Sequence, residues 1–456
     1  MVEMNIGHFG DDRLRKGGEL LVSRVAERQA VHVCKLGDNR AEQAKFRRFL
    51  TNPSVTTEEM VSRRAMLAGK AAEGRHVLAI QDTTEINFQA QCGRKRNLGT
   101  VGNGTDVGLF LHPVLAIDAD NGQCLGLVSA QVHRRLEGKA ANYKSLPIEK
   151  KESHRWIKGG EEAKAALTQA SLLTILDDRE GDIYEKWARL PDRHTHLLTR
   201  ACQNRSLAGG GSLFPTLAGF PEAHRYMLEV TAQPGKRSAR VACMTVRFGT
   251  VRIRRPQTCS DPNAPEEIEL FAVEARELDP PLGEKAICWR LLTTHPVETV
   301  RQAMRVIGWY RMRWQIEQLF RTLKRQGLGI EQSVVEDGRA LEKVAVIALI
   351  AACITMQLTL AHAPEGQDAP AERVFDEAEI EVLHALQPKL QGRTEKQKNP
   401  YAPGTLAWAS WTIARLGGWT GYKSDRATGP ITMRDGLARF NSLVDGYHLA
   451  KNVCQS

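Results

Sequence analysis

The sequence predicts an α/β fold, in which a mixed core of strands and helices is preceded and followed by helical segments. Three β-like runs lie close together at 76–86, 107–117 and 124–133. Helix-like and strand-like runs then alternate from 161 to 200, which is typical of an α/β layer architecture. Residues 1–70 contain few strand-like runs and read as helical.

The strands are predicted from apolar runs bounded by turn signals. HVLAIQDTTEI, VGLFLHPVLAI and CLGLVSAQVH form the first three, and DADNG separates the last two. Asn-Gly supplies the positive φ that a tight hairpin needs. A helix is predicted at EEAKAALTQA (161–170), followed by strands at SLLTIL (171–176) and HTHLLTR (194–200).

Acidic residues follow two of these strands. The first run carries Asp82, and the fourth run ends in Asp177 and Asp178. Three antiparallel strands, a helix, a strand that ends in Asp and a later helix that presents Glu make up the order of the ribonuclease-H-like fold. No glycine fingerprint follows a strand, so a doubly wound nucleotide-binding fold is not predicted.

Residues 203–285 interrupt this core with Gly, Pro and alternating strands. In TVRFGTVRIRR (245–255), Arg247, Arg252 and Arg254 alternate with apolar residues. This pattern predicts a β-rich insertion with one basic face. The core resumes at AICWRLLTT (286–294).

YRMRWQIEQLFRTLKRQG (310–327) predicts one amphipathic helix with a single Glu among many cations. Tyr310, Arg313, Glu317 and Lys324 fall within an arc of roughly 60° at 3.6 residues per turn. One interpretation is a solvated face on which Glu317 pairs with the arginines four residues before and after it. The other is that Glu317 holds a metal while the cations and Tyr310 hold phosphates.

The later segments are predicted to be an apolar helix, a loop and a final helical stretch. VAVIALIAACITMQLTL (344–360) is at the short limit for a membrane span and contains Thr and Gln, so a buried core helix is predicted. Gly-, Pro- and Lys-rich sequences around 363–405 indicate linkers or a loop, and 405–453 is predicted to be helical.

Composition restricts the class of protein. The chain has 456 residues, 42% of them hydrophobic, which allows two or three domains with a sizeable core. Its net charge of +10 suits a polyanionic partner such as nucleic acid. Residues 1–14 lack the apolar run of a signal peptide. Nine scattered cysteines without a CxxC spacing predict neither a disulfide framework nor a zinc site, which fits a reducing cytoplasm.

Three carboxylates gathered in one site repel one another unless cations neutralise them. Hard oxygen ligands favour Mg²⁺ or Mn²⁺.

Three motifs carry a resemblance to a known family. QDTT (81–84), DREGDI (178–183) and the Y-x2-R-x3-E-x6-K pattern that begins at Tyr310 resemble the bacterial cut-and-paste DDE transposases of the insertion-sequence-four family. The likeness extends to FRRFLTNPSV near the N-terminus, WRLLTTHPVE before the signature helix and LAWASWTIARLGGW near the C-terminus, and so spans nearly the whole chain.

The resemblance implies roles for individual residues. The implied catalytic residues, which are also the metal ligands, are Asp82, Asp178 and Glu317, with two Mg²⁺ or Mn²⁺ ions per active site. The implied DNA contacts are Tyr310, Arg313, Lys324, Trp289 and Arg200, with Trp289 stacking on a flipped base. Asp177 is an extra acid that caps locally or is a decoy, and the alternative interpretation of Trp289 is a Trp in a strand core.

The resemblance also implies a domain order: a helical DNA-binding domain (1–70), a ribonuclease-H-like core (71–370) and a helical dimerisation domain (371–456). The implied partners are double-stranded DNA, both transposon ends and target, and a second copy of the chain, with no membrane. The expected activity is nicking, hairpin formation, hairpin opening and strand transfer, in the bacterial cytoplasm at the nucleoid. Two alternatives stay open: a metal-dependent nuclease of the same fold and a non-catalytic DNA-binding regulator of transposition.

Overall fold

The computed structural model describes residues 4–136, 146–233, 235, 237–259, 261–324, 327–361, 369–421 and 428–455. Its internal contacts divide the chain into two compact units, and each is described by itself. Unit 1 comprises Met1–Glu73, Thr83–Gly138 and Gln315–Ser456. Unit 2 comprises Gly74–Asp82 and Lys139–Trp314.

Strands and helices are mixed along the chain. The strands are β1 His76–Gln81, β2 Thr84–Asn87, β3 Gly99–Val101, β4 Asp106–Asp118, β5 Cys124–His133, β6 Leu172–Asp177, β7 Thr195–Arg200, β8 His224–Val230, β9 Arg240–Arg254, β10 Glu267–Glu277 and β11 Cys288–Thr293. The α-helices are α1 Asp12–Arg28, α2 Val33–Leu36, α3 Arg40–Thr51, α4 Thr57–Ala71, α5 His154–Ala166, α6 Tyr184–Arg189, α7 Leu213–Gly219, α8 Val300–Met312, α9 Trp314–Leu323, α10 Gly338–Leu360, α11 Glu377–Leu390, α12 Leu406–Leu416 and α13 Pro430–Gln455. The predicted α/β class is confirmed.

The N-terminal helices of unit 1 begin at polar caps. The side chains of Asp11, Asn39 and Thr56 accept backbone N–H groups at the starts of α1, α3 and α4. Such caps satisfy donors that the first helical turn leaves unpaired. Phe49 of α3 is buried and meets the ring of Phe9 edge to face at 5.5 Å. The helical character predicted for residues 1–70 is therefore confirmed.

The strands of unit 1 pair around β4. β2, β3 and β5 each run antiparallel to β4. Between β4 and β5 the Asp118 carboxylate accepts the N–H groups of Asp120 and Asn121, and Gly122 takes a φ of 73°. The hairpin turn predicted at DADNG is confirmed, with Gly in the left-handed conformation.

The long apolar helix α10 is a core element of unit 1. Within the described parts of the chain it is the helix long and apolar enough to cross a membrane, with a mean hydropathy of 2.0. However, 83% of that apolar stretch is buried inside the fold. The predicted core helix is confirmed. Between the predicted linkers, α11 forms a helix that the sequence did not indicate, and residues 362–368 lie outside the described part.

Unit 2 is built on one sheet with the strand order β1-β6-β7-β11-β10-β9-β8. β1, β6 and β7 are parallel. β11, β10, β9 and β8 continue the sheet by antiparallel pairing. The carboxyl ends of β1, β6 and β7 therefore share one edge of the sheet, where side chains from different parts of the sequence can meet.

Two sequence predictions of single elements are wrong. The run 76–86 is two strands, β1 and β2, with Asp82 and Thr83 between them. The helix predicted at 310–327 is two helices, because the N–H of Arg313 bonds to the carbonyl of Tyr310 three residues earlier, which is a tighter turn than an α-helix has. α9 also ends at Leu323, before the predicted terminus.

The predicted basic face of the insertion is present on β9. Val251 and Ile253 are buried, while Arg252 and Arg254 are exposed. Arg252 forms an ion pair with Glu267 of β10 at 3.1 Å. The alternation is confirmed at Arg252 and Arg254. Arg247 departs from it, because it is half-buried and donates to the carbonyl of Ala218.

A histidine cluster lies at the other end of the unit 2 strands. His76 Nε2 and His295 Nε2 both lie within hydrogen-bonding distance of the Thr174 hydroxyl, at 2.8 and 2.7 Å. The rings of His196 and His295 stack at 4.0 Å, and Trp309 packs 4.8 Å from His295. His295 is 7% exposed. Burial, and then the neighbouring His196, His76 and Arg305, lower the pKa of His295 to about 2.

We expect this cluster to make the protein acid-sensitive. The folded chain keeps His295 neutral, whereas the unfolded chain takes up a proton below the ordinary pKa of 6.5. Stability is therefore lost as the pH falls below that value, by about 2 kcal/mol at pH 5. Urea unfolding between pH 7 and pH 5 should show this slope, and His295→Asn should flatten it. The exposed His194 gives the matched control: if His194→Asn flattens the slope as much, the buried cluster is not its source.

Candidate active site

Asp82 and Asp178 lie just past the ends of neighbouring parallel strands. The register pairs Ile80 of β1 with Leu176 of β6, so each Asp is the second residue beyond a paired position. Asp178 is partly exposed, and its Oδ1 accepts the N–H of Glu180 at 2.8 Å. The structure therefore places two of the three predicted acids at the same edge of one sheet.

Asp177 has a different environment from Asp178. Asp177 is fully buried and forms an ion pair with Lys186 of α6, which is also fully buried. Gln81 Nε2 donates to Asp177 Oδ1 at 2.7 Å, and the Thr199 hydroxyl donates to Oδ2 at 2.9 Å. Asp177 is thus held in an internal polar network, and Asp178 caps the following turn. Asp177 is therefore not the local cap.

The rest of the DREGDI motif maintains the backbone around Asp178. Asp182 is buried and accepts two hydrogen bonds from the guanidinium of Arg205, at 2.9 and 2.7 Å. Its other oxygen accepts the N–H groups of Cys202 and Gln203, just after β7. A Cβ on Gly181 would approach the Asp177 side chain to 2.5 Å, so only Gly fits there. These contacts connect the Asp178 turn to the end of the next strand.

Arg313 lies at the junction of α8 and α9, and its guanidinium contacts Asp82. Nη1 of Arg313 is 3.1 Å from Asp82 Oδ2, and the two side chains are 14% and 16% exposed. The guanidinium also lies 5.9 Å from the ring centre of Tyr310. A half-buried Arg–carboxylate pair of this kind is a charge-assisted hydrogen bond. The solvated-face interpretation predicted Glu317 as the partner of Arg313 and did not predict Asp82, just past the end of β1.

Tyr310 connects the other predicted DNA contacts of unit 2. It is 6% exposed, and burial raises the pKa of its hydroxyl, although Arg313 and Arg200 oppose that rise. Arg200 is the last residue of β7 and donates to the Cys288 carbonyl at 2.8 Å. Trp289 of β11 is half-buried, and its ring meets that of Tyr310 at 6.0 Å and 60°. Trp289 is therefore not a fully enclosed strand-core residue.

Glu317 and Lys324 belong to unit 1. Glu317 is a half-buried residue of α9, on a helix whose Ile316, Leu319 and Phe320 are buried. Lys324 directly follows α9, and its ammonium is 3.9 Å from Glu331 Oε1. Burial lowers the pKa of Lys324, whereas Glu331 and Glu85 act to raise it. Lys324 therefore has acidic neighbours that the helical pattern could not show.

The donor chemistry of the predicted acids fits a hard divalent cation, because all are carboxylates. Asp82 is at present bonded to Arg313, so a cation there would have to replace a guanidinium. The described residues contain no group of three or more His, Cys, Asp or Glu side chains arranged to hold a metal. Carboxylates are thus the right type of ligand for such a cation. However, the described residues do not bring a complete set of ligands together.

Sequence reasoning missed several residues of this region. Lys186, Gln81 and Thr199 surround Asp177, and Arg205 holds Asp182. Lys186 lies only eight positions after Asp178. The pattern of apolar and polar residues in α6 does not show that Lys186 is buried. A buried Lys needs an acidic partner. The two consecutive Asp residues at the end of β6 were the sequence feature that could have indicated such a pair.

Comparison with protein families identifies the class. The model of the transposase DDE domain matches residues 127–354, which is half of the 456-residue chain. The chain therefore belongs to the transposase DDE domain family. Transposases of this family generally use divalent metal ions. The matched residues include Asp178 and Glu317 and the predicted DNA contacts, whereas Asp82 lies before them.

One similar solved structure is a piggyBac transposase synaptic complex with hairpin DNA. The match covers 96% of this chain and 73% of that chain, with 8% sequence identity and a TM-score of 0.37. A TM-score this low carries no argument about function.

Proposed function

We propose that this chain is a cut-and-paste DNA transposase of the insertion-sequence-four family, most like the transposon-five transposase. It binds the inverted repeats of transposon ends, nicks them, forms and opens a hairpin, and joins the ends to target DNA. The observation that carries this proposal is the position of Asp82 and Asp178 at the ends of adjacent parallel strands, in a chain of the transposase DDE domain family. The ribonuclease-H-like character of the core is part of the proposal.

In this proposal Asp82, Asp178 and Glu317 are the catalytic residues and hold two Mg²⁺ or Mn²⁺ ions. Such ions, when bound, activate water or a 3′-hydroxyl and stabilise the leaving oxygen. Asp82, which contacts the guanidinium of Arg313, would hold one of these ions. Arg313 would bind a DNA phosphate, through two parallel hydrogen bonds.

Cations outside the site support DNA binding. Lys45, Arg47 and Arg48 of α3 are exposed, as a DNA-binding role for residues 1–70 requires. Long duplexes attract such clusters because each neutralised phosphate releases counterions. We place the protein in the bacterial cytoplasm, where it acts on the nucleoid.

Apolar side chains on α13 support the proposed homodimer. Leu443, Leu449 and Val453 are 43%, 68% and 66% exposed, and all three lie in the second half of this helix. Exposed apolar groups on one helix favour association with another protein surface. A second copy of the chain is the partner that synapsis of two transposon ends requires.

The test is to incubate the purified chain with Mg²⁺, target plasmid and a DNA fragment bearing its own flanking inverted repeats. A transposase yields nicked, hairpin and joined products. Cleavage without joining would indicate the nuclease alternative. Repeat binding without any cleavage would indicate the regulatory alternative.

Alanine at Arg313 or Lys324 should weaken binding of transposon ends. If each side chain neutralises one phosphate, the slope of log affinity against log salt should fall by about one unit per substitution. Gel-shift titrations across a range of salt concentrations measure this slope. The exposed Lys398, which pairs with Glu395 three residues earlier, gives a control with the same change in charge. A slope equal to that of Lys398→Ala would mean that the two cations do not contact DNA phosphates.

Trp289→Ala should separate nicking from hairpin formation. Loss of base stacking costs about 1–3 kcal/mol, so hairpin formation should slow about tenfold to a hundredfold while nicked DNA accumulates. Time courses of both products measure the two steps. The buried Trp411 provides the comparison, because its truncation should lower stability and depress both steps together. If Trp289→Ala behaves like Trp411→Ala, with a lower melting temperature, the stacking role is wrong.

A further inference from the structure

Two buried cysteines of unit 1 lie side by side, far apart in sequence. Cys124 opens β5, and Cys353 lies in α10. Their sulfur atoms are 3.9 Å apart, and the residues are 5% and 3% exposed. The pair lies where a core strand meets the core helix, and neither residue belongs to the proposed active site.

A third residue gives the pair an uneven charge environment. Arg64 of α4 interacts electrostatically with Cys353. A hydrogen bond from Cys124 lowers the pKa of the Cys353 thiol, burial opposes this, and the charge of Arg64 lowers the pKa further. The contact with Cys353, followed by burial, raises the pKa of the Cys124 thiol. A cation beside a cysteine favours its thiolate, which is the reactive form, so Cys353 is the nucleophile and Cys124 the resolving thiol.

We propose that Cys124 and Cys353 are a redox modification site that a small peroxide converts into a reversible disulfide linking β5 to α10. A disulfide needs the two sulfur atoms at about 2 Å, so they must approach by about 2 Å. The low exposure of both residues excludes bulky disulfides, so the proposed oxidant is a small one, hydrogen peroxide.

The chemistry balances in two steps. The Cys353 thiolate attacks one oxygen of hydrogen peroxide, the O–O bond breaks, and hydroxide leaves while Cys353 becomes a sulfenic acid. The Cys124 sulfur then attacks the Cys353 sulfur, the S–O bond breaks, and the second oxygen leaves as water. The hydroxide takes up the remaining thiol proton. Two thiols and one peroxide thus give one disulfide and two waters.

The experiment treats the folded chain with hydrogen peroxide, blocks remaining thiols under denaturing conditions and maps disulfides by mass spectrometry without reduction. We expect a Cys124–Cys353 crosslink that dithiothreitol reverses, and a melting temperature that rises by several degrees because the bond closes a long loop. Treatment with glutathione disulfide should leave the pair reduced while it modifies the exposed Cys34, Cys92 and Cys202.

Single serine variants assign the roles of the two sulfurs. Cys124→Ser should accumulate a sulfenic acid at Cys353 that dimedone traps, whereas Cys353→Ser should give no adduct at Cys124. Circular dichroism shows whether each variant is folded. If a variant does not fold, the crosslink in the wild-type chain still tests the proposal. Oxidation of the three exposed cysteines with the pair still reduced would overturn the proposal. Irreversible oxidation of Cys353 without a crosslink would do the same.

Discussion

Replacing Asp178 with Asn should abolish strand nicking and leave the fold intact. The structural bond of Asp178 is the one from the N–H of Glu180, which an Asn oxygen can also accept. If Asp178 holds a catalytic cation, as proposed, its loss should lower the nicking rate by at least about a thousandfold, or about 4 kcal/mol of barrier. Single-turnover nicking and a gel shift on the same transposon end measure the two effects.

Asp82 and Glu317, the other two proposed catalytic residues, provide replicate tests. Asp82→Asn and Glu317→Gln should show the same loss of nicking with retained end binding. A rate within about tenfold of the parent, less than 1.4 kcal/mol of barrier, would remove that residue from the proposed metal site.

Replacing Asp177 with Asn should instead destabilise the protein. The change leaves the ammonium of Lys186 buried without its carboxylate partner. Removing one member of a buried ion pair typically costs about 3–5 kcal/mol of the free energy of unfolding. Urea unfolding of Asp177→Asn and Asp178→Asn, compared under identical conditions, should show a large loss for the first and little change for the second.

A double variant distinguishes the ion pair from a general effect of mutating a core residue. Asp177→Leu combined with Lys186→Met removes both charges and keeps apolar volume, and such replacements are often neutral. We expect the double variant to recover most of the stability that Asp177→Asn loses. Equal stability of Asp177→Asn and the parent would mean that the Lys186 pairing does not stabilise the fold.

The parts of the fold that depend on local pattern could be predicted from the sequence. Asp178 was placed at a strand end because an apolar run stops just before it, and the hairpin at Gly122 followed from Asn-Gly. Asp82 was placed within the run 76–86, whereas it lies just past the end of β1. The break at Arg313 could not be predicted, because the apolar period continues through it and only one hydrogen bond changes.

Contacts between different elements could not be predicted either. Arg313, at the junction of α8 and α9, pairs with Asp82 just past β1, and Lys186 of α6 pairs with Asp177 at the end of β6. Sequence spacing measures distance along one element, and these contacts depend on how elements pack. The preference for Asp178 over Asp177 came from the motif, and the burial of Asp177 gives a physical reason for the same choice.

The proposal that Asp82, Asp178 and Glu317 are metal ligands is tested most directly by cutting the chain with a bound iron ion. Fe²⁺ in place of Mg²⁺, with ascorbate and peroxide, cuts a polypeptide backbone near the bound ion. In the complex with transposon-end DNA, mass spectrometry of the fragments should show cuts near all three residues, and excess Mg²⁺ should suppress them. Cuts near only one of the three, or an unchanged pattern in Asp178→Asn, would contradict the account.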